Sequence, residues 1–163
     1  MDEVVTPSTV SYRVGTSADV PAMEACHNTS DAVIPYDYRM AAYLDGYHHP
    51  QKALPPRIGY LAVAEGTVIG YIAGHLTTRN ACAAEVQYLF VSPTYRRNGI
   101  GTALLRLLSE WFLKQGARRV CVPIAGDSFP EAKPFYEHAG AAPLVKNWHG
   151  WEDIAVVVGE DEA

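Results

Sequence analysis

Residues 85–116, EVQYLFVSPTYRRNGIGTALLRLLSEWFLKQG, change hydrophobic period midway. No other stretch constrains the fold as tightly. Val86, Tyr88, Leu89, Phe90 and Val91 are β-branched, aromatic or apolar, the composition of a mostly buried strand. Ser92-Pro93 ends that run, because proline has no N–H to give to a ladder. From Ile100 the spacing is helical. Ile100, Leu104, Leu107, Leu108 and Trp111 share one side, and Arg106, Ser109, Glu110 and Lys114 the other, with Gly116 suited to the C-terminal cap.

The join between the two is Arg96-Arg97-Asn98-Gly99-Ile100-Gly101-Thr102. The first amides of a helix have no intrahelical partner, and the helix dipole adds partial positive charge there. Glycine lets an anion approach such a backbone without meeting a Cβ. With two arginines alongside, the join reads as a site for a phosphate or pyrophosphate. It is not a P-loop, which needs Gly-x-x-x-x-Gly-Lys-Ser/Thr. Nor is it a dinucleotide fingerprint, since Leu104 stands where a small residue is needed.

A chain of 163 residues is most simply one domain, 1–163, with frayed ends at about 1–9 and 160–163. Its net charge of −5 argues against nucleic acid as a partner and favours cationic small molecules or peptides. An anionic ligand must then rely on local charge, which Arg96 and Arg97 supply. Cys26, Cys82 and Cys121 are too widely spaced for a zinc or redox motif. Their odd number and the lack of a signal peptide predict a reducing, cytoplasmic location. The longest apolar region, 58–76, carries Glu65 and several glycines and reads as a hairpin, so no membrane span is expected. The six histidines show no ligand spacing, so no metal is expected.

In chain order, Ser11–Val14 predicts a short strand, and Ser17 a cap for a helix with Pro21 in its first turn and Val20, Met23 and His27 on one side. Residues 31–56 are irregular, with a helix near Asp37–Leu44. Two strands, Arg57–Ala64 and Val68–Thr78, flank the turn Glu65-Gly66-Thr67. After the central unit come a strand Arg118–Ile124, a helix Glu131–Ala139 and a last hairpin of Pro143–Trp148 with Glu152–Val158. The expected fold is α/β, a single domain with a mixed sheet flanked by helices.

The pattern Arg-x-x-Gly-x-Gly at Arg96, Gly99 and Gly101, between such a strand and helix, resembles the GNAT N-acetyltransferase superfamily. Two further segments fall in that family's order. They are Tyr12-Arg13-Val14-Gly15-Thr16-Ser17-Ala18-Asp19 near the start and Ala132-Lys133-Pro134-Phe135-Tyr136-Glu137-His138-Ala139-Gly140-Ala141 near the end. The resemblance spans roughly residues 10 to 158 and implies a mostly antiparallel central sheet. It also implies transfer of an acetyl group from acetyl-CoA to a primary amine of a small molecule or peptide, and a possible homodimer.

By that resemblance, the main chain of Leu89, Phe90 and Val91 pairs with pantetheine, while Arg96, Arg97, Asn98, Gly99, Ile100, Gly101 and Thr102 wrap the pyrophosphate. Glu85 corresponds to a catalytic base acting directly or through water, and strand alternation puts Gln87 on the same face to help hold that water. Tyr136 corresponds to the acid that protonates the departing thiolate; a phenol is a neutral donor at pH 7. Cys121 lies in an apolar strand with no activator, so burial is expected in place of a covalent role. Asp31, Asp37 and Asp45, with Tyr36, Tyr38, Tyr43 and Tyr47, lie in the segment that borders the acceptor in similar folds, and acidic and aromatic groups suit a cationic amine. Trp148, His149 and Trp151 could form the opposite wall or close the core edge. One departure is Phe129, where related sequences often carry a CoA-binding asparagine; Ser128 is then the candidate polar contact. It leaves room for a non-catalytic acyl-CoA sensor, or for a longer acyl-CoA donor.

Overall fold

The computed structural model describes residues 9–28, 36–124 and 131–159. Seven strands form one sheet: β1 (Ser11–Val14), β2 (Ala53–Ala64), β3 (Thr67–Thr77), β4 (Ala84–Val91), β5 (Val120–Pro123), β6 (Ala142–Val145) and β7 (Trp148–Trp151). Their order is β1-β2-β3-β4-β5-β7-β6. Only the β4–β5 pairing is parallel, so the expected mixed, mostly antiparallel sheet is what forms. The hairpin between β2 and β3 turns on Glu65-Gly66, both at positive φ, which matches the twist of the flanking strands.

Helices α1 (Val20–His27) and α2 (Met40–Leu44) cover one face, and α3 (Ile100–Lys114) the other, with α4 (Ala132–His138) and α5 (Ala155–Val158) beside it. One core forms between the sheet and α3, around Ile72, Leu104, Leu108 and Phe112. A smaller one forms under α1 and α2, around Met23, Met40, Leu61 and Phe90. No helix among the described residues is long and apolar enough to cross a membrane.

Several local expectations shift. Ser17 does not cap α1: it lies inside a 3₁₀ turn, 17–19, that Thr16 caps, with the Asp19 carboxylate accepting the Thr16 amide at 2.9 Å, and α1 itself starts after Asp19. β2 begins at Ala53, not Arg57, and slips register at Pro55-Pro56, where proline has no N–H to pair. On α3 the buried stripe is Ile100, Leu104, Leu105, Leu108 and Phe112, and Ser109 is buried too, because α5 covers that flank. The last hairpin is β6 and β7, joined through Asn147 at positive φ. Residues 155–158 are helical, not extended. Asp153 caps the Ala155 amide, and Arg106 bonds the Val158 carbonyl, so docking on α3 outweighs the β propensity of three valines.

Candidate active site

β4 is the middle strand, and its two edges differ. It pairs with β3 along its whole length. With β5 it pairs only at Ala84↔Val120 and Glu85↔Cys121. Beyond Glu85 the strands part, and residues 87–91 have one edge unpaired by any described strand. Main-chain donors and acceptors there are obligatory hydrogen-bonding groups, so this edge can accept an extended ligand.

The end of β4 leads into the basic turn. Gly99 sits at φ 76°, a left-handed conformation that costs other residues, and it sets the first turn of α3. The amides of Ile100, Gly101 and Thr102 precede the first intrahelical bond, from Ala103 N–H to the Gly99 carbonyl at 3.0 Å. A Cβ on Gly101 would stand 3.2 Å from the Phe135 ring, so glycine also lets α3 meet α4 closely. The two arginines part ways. Arg97 is exposed, whereas Arg96 turns inward, donates from Nε to the Val91 carbonyl at 2.9 Å and lies over the Phe90 ring. Asn98 bonds back to the Tyr95 and Arg96 carbonyls and braces the turn.

A cavity of about 380 Å³ follows this wall. Leu89, Phe90, Val91, Arg96, Arg97, Gly99, Ile100, Gly101, Thr102 and Tyr136 all line it, so most of the residues singled out in sequence converge. Ser128 and Asp31 lie outside the described residues. Tyr136 is 6% exposed, packed edge-on against Phe135 and Trp151. Burial pushes its phenol above the ordinary range, so it carries its proton at neutral pH.

A second cavity, of about 290 Å³, adjoins the first. The two share Leu89, Phe90, Ala132 and Tyr136. His27, Asp37, Tyr71, Gln87, Tyr88 and Tyr136 contribute its polar groups. Tyr88 donates to Asp37 at 2.7 Å, and Arg39 pairs with the same carboxylate at 3.0 Å. Desolvation opposes them, yet these bonds hold Asp37 below the ordinary carboxylate range. Burial, and then the Asp37 bond, push the Tyr88 phenol up.

Glu85 is not brought to either cavity. It is 3% exposed, and its Oε1 lies 3.5 Å from both His75 Nε2 and Arg79 Nε. His75 is fully buried and meets the Tyr43 hydroxyl at 2.8 Å. Gln87, expected beside Glu85, lines the second cavity, which Glu85 does not reach. The β3–β4 register jumps from Ala73↔Tyr88 to Gly74↔Val86, so Gln87 is an extra residue. Leu89 and Val91 therefore join Val86 over α3, while Tyr88 and Phe90 turn toward α1 and α2.

Of the acidic and aromatic candidates among the described residues, only Asp37 lines the second cavity. Tyr43 is spent on His75, Tyr36 is buried, and Asp45, Tyr38 and Tyr47 face solvent. Trp148, His149 and Trp151 line neither cavity. Trp148 stacks under Arg79, His149 bonds Glu137 at 2.8 Å, and Trp151 backs Tyr136. Cys121 is fully buried, and desolvation raises its thiol, which removes it as a nucleophile. Sequence reasoning missed Tyr71 and Tyr88 and gave His27 only a packing role. No local motif marks them, but the phase change at Gln87 would have revealed Tyr88.

Residues 24–141 match the sequence model of the acetyltransferase (GNAT) family. Among curated proteins the chain is similar to the mycothiol acetyltransferase of Salinispora tropica, 35% identical over 89 residues. That match covers 55% of this chain and 27% of the relative, so the chain spans about a quarter of that protein's length. A GNAT-family acetyltransferase from Desulfovibrio desulfuricans superposes with a TM-score of 0.71 at 15% identity, covering 90% of this chain and 99% of that one. PaiA N-acetyltransferase from Thermoplasma acidophilum, in complex with coenzyme A, gives 0.61 at 18% identity over 87% and 96%. These two likenesses speak to the fold, while the family match over residues 24–141 speaks to descent. With its strand, glycine turn and helix in family order, the chain belongs to the acetyltransferase (GNAT) family.

Proposed function

We propose that this chain moves an acetyl group from acetyl-CoA to a primary amine of a small molecule or peptide, by direct attack with both substrates bound. One observation carries the reading: Tyr136 stands on the wall shared by two cavities, one running to the basic turn and the other lined by Asp37. Family membership, and the coenzyme A complex of the PaiA neighbour, support acetyl-CoA as donor. Three free, buried cysteines accord with a cytoplasmic setting.

The residues present suit that donor. The amides of Ile100, Gly101 and Thr102 and the exposed Arg97 would hold the pyrophosphate, as helix N-termini hold anions. Arg96 fixes the Val91 carbonyl, and the edge of β4 at Leu89, Phe90 and Val91, along which no described strand runs, would receive the pantetheine. Acetyl-CoA, when bound, supplies an acyl group activated as a thioester. Tyr136 gives its proton to the departing sulfur, a task suited to a phenol kept neutral by burial. Asp37, ionised at neutral pH, attracts the ammonium form of the acceptor into the second cavity. Glu85 works from behind β4, tying β4 to His75 and the Arg79 turn, without touching the acceptor.

The test is thiol release with acetyl-CoA and a panel of primary amines, together with calorimetry of coenzyme A. Tight binding with turnover on at least one amine is the expected result. Binding without turnover on any amine points to an acyl-CoA sensor and defeats the reading.

A further inference from the structure

We propose that Trp151 and His149 are positioning residues for Tyr136: from one face of β7 they hold α4 so that its phenol reaches the departing sulfur. The assignment rests on the acetyl-transfer reading above. Proton transfer to sulfur needs the hydroxyl within hydrogen-bond reach, so the placement of α4 bears directly on the rate. α4 cannot place itself. It has seven residues, below the roughly 12 that an isolated helix needs to be even marginally stable in water.

The C-terminal end of α4 is where it is gripped. The last carbonyls of a helix have no intrahelical partner. The Trp151 indole, a donor only, gives its Nε1–H to the Ala139 carbonyl at 3.2 Å. The same ring centre lies 6.0 Å from that of Tyr136, edge-on at 79°. Strand alternation puts His149 on the same face of β7, where its Nε2 meets Glu137 Oε2 at 2.8 Å. A carboxylate oxygen only accepts, so that nitrogen donates whether the imidazole is neutral or charged. One strand thus holds the Tyr136 ring, the residue after it and the cap of α4. Trp151 is 2% exposed and His149 6%, so packing fixes both side chains.

β7 is an interior strand, with β5 on one side and β6 on the other. Trp151 stands opposite Val120 and His149 opposite Val122, and Val120 in turn pairs with Ala84 of β4. The phenol is thereby tied to the strand that would carry the donor, across the gap where β4 and β5 part. Neither Trp151 nor His149 lines the two cavities of the site, so their effect on the reaction passes through α4.

The test is a double-mutant cycle. Trp151→Phe removes the indole N–H and keeps an aromatic ring, and His149→Leu removes the donor to Glu137. Each is made in the wild-type chain and in Tyr136→Phe. Thiol release gives kcat and amine KM, and calorimetry gives coenzyme A affinity, all well below the thermal midpoint of each variant. In the wild-type chain each change should lower kcat about tenfold, with amine KM and coenzyme A affinity within about twofold. In Tyr136→Phe the same changes should cost less than about twofold, because the hydroxyl they place is already gone. His149→Gln, whose amide still donates, should recover most of the loss in His149→Leu, and it keeps the test available where that variant folds poorly. A change that only loosened the fold would lower kcat equally in both backgrounds. Equal losses in both, an unchanged kcat in the wild-type chain, or a loss carried by amine KM or donor affinity overturns the assignment. If the wild type turns over no amine at all, the acetyl-transfer reading falls and takes this assignment with it; normal turnover with equal losses in both backgrounds sinks this assignment alone.

Discussion

The wall facing the basic turn runs through residues 89–102 without a break in the chain, whereas the opposite wall draws His27, Asp37, Tyr71 and Tyr88 from four separate segments. The first relies on main-chain amides and one glycine conformation, which local sequence dictates. The second relies on side chains whose meeting depends on how α1 and the segment before α2 dock on β3 and β4. Contiguous, backbone-built sites are written in short motifs. Assembled, side-chain-built sites are not, and they are free to differ between relatives that keep the same fold.

That contrast can be attacked at its shared point first. Tyr136→Phe should reduce kcat by about 10²-fold while coenzyme A affinity stays within about twofold, because the lost hydroxyl belongs to neither wall alone. Equal kcat values for variant and wild type would strip Tyr136 of its role. Next, Gly99→Val forces a β-branched residue into the left-handed region, a strain of about 1–3 kcal/mol. Coenzyme A should bind about tenfold more weakly in calorimetry, with the amine KM unchanged. An altered amine KM at constant donor affinity would mean the walls are not separable.

Asp37→Asn probes the assembled wall. The amine KM should rise severalfold, and removing bonds to a partly buried carboxylate should cost about 1–2 kcal/mol of stability at pH 7. The sign follows from a depressed folded-state pKa. The stabilisation is present above the unfolded carboxylate value, near 3.9, and is lost as pH falls through the folded one. Urea melts of variant and wild type should therefore converge in acid, and a gap that persists there would locate the loss elsewhere. The smallest effect is expected from Arg13→Ala, whose exposed pairing with Asp19 lies away from both walls. Thermal midpoint, donor affinity and amine KM should all stay put, and movement in either constant would reveal long-range coupling.

Much of this was legible in advance, for identifiable reasons. The 3.6-residue period of 100–112 and the strand before it set α3 and β4, and the Glu65-Gly66 turn set the hairpin, because each is a local constraint. The valines of 155–158 misled because docking on α3 overrode propensity. In sequence Arg96 and Arg97 are equivalent local charges, but the inward placement of Arg96 depends on where the Val91 carbonyl and the Phe90 ring end up, which no spacing rule encodes. Glu85 followed from family order alone, and His75 and Arg79, which enclose it, come from β3 and the turn after it.

The extra residue at Gln87 has an evolutionary corollary. Because one inserted position decides which way Tyr88 to Val91 point, a single-codon deletion there would exchange inside for outside along the rest of the strand. No swap of one amino acid for another could do the same. Side chains of the second cavity can change one by one without disturbing that register, whereas the count of residues between Val86 and Pro93 decides which of them face it at all.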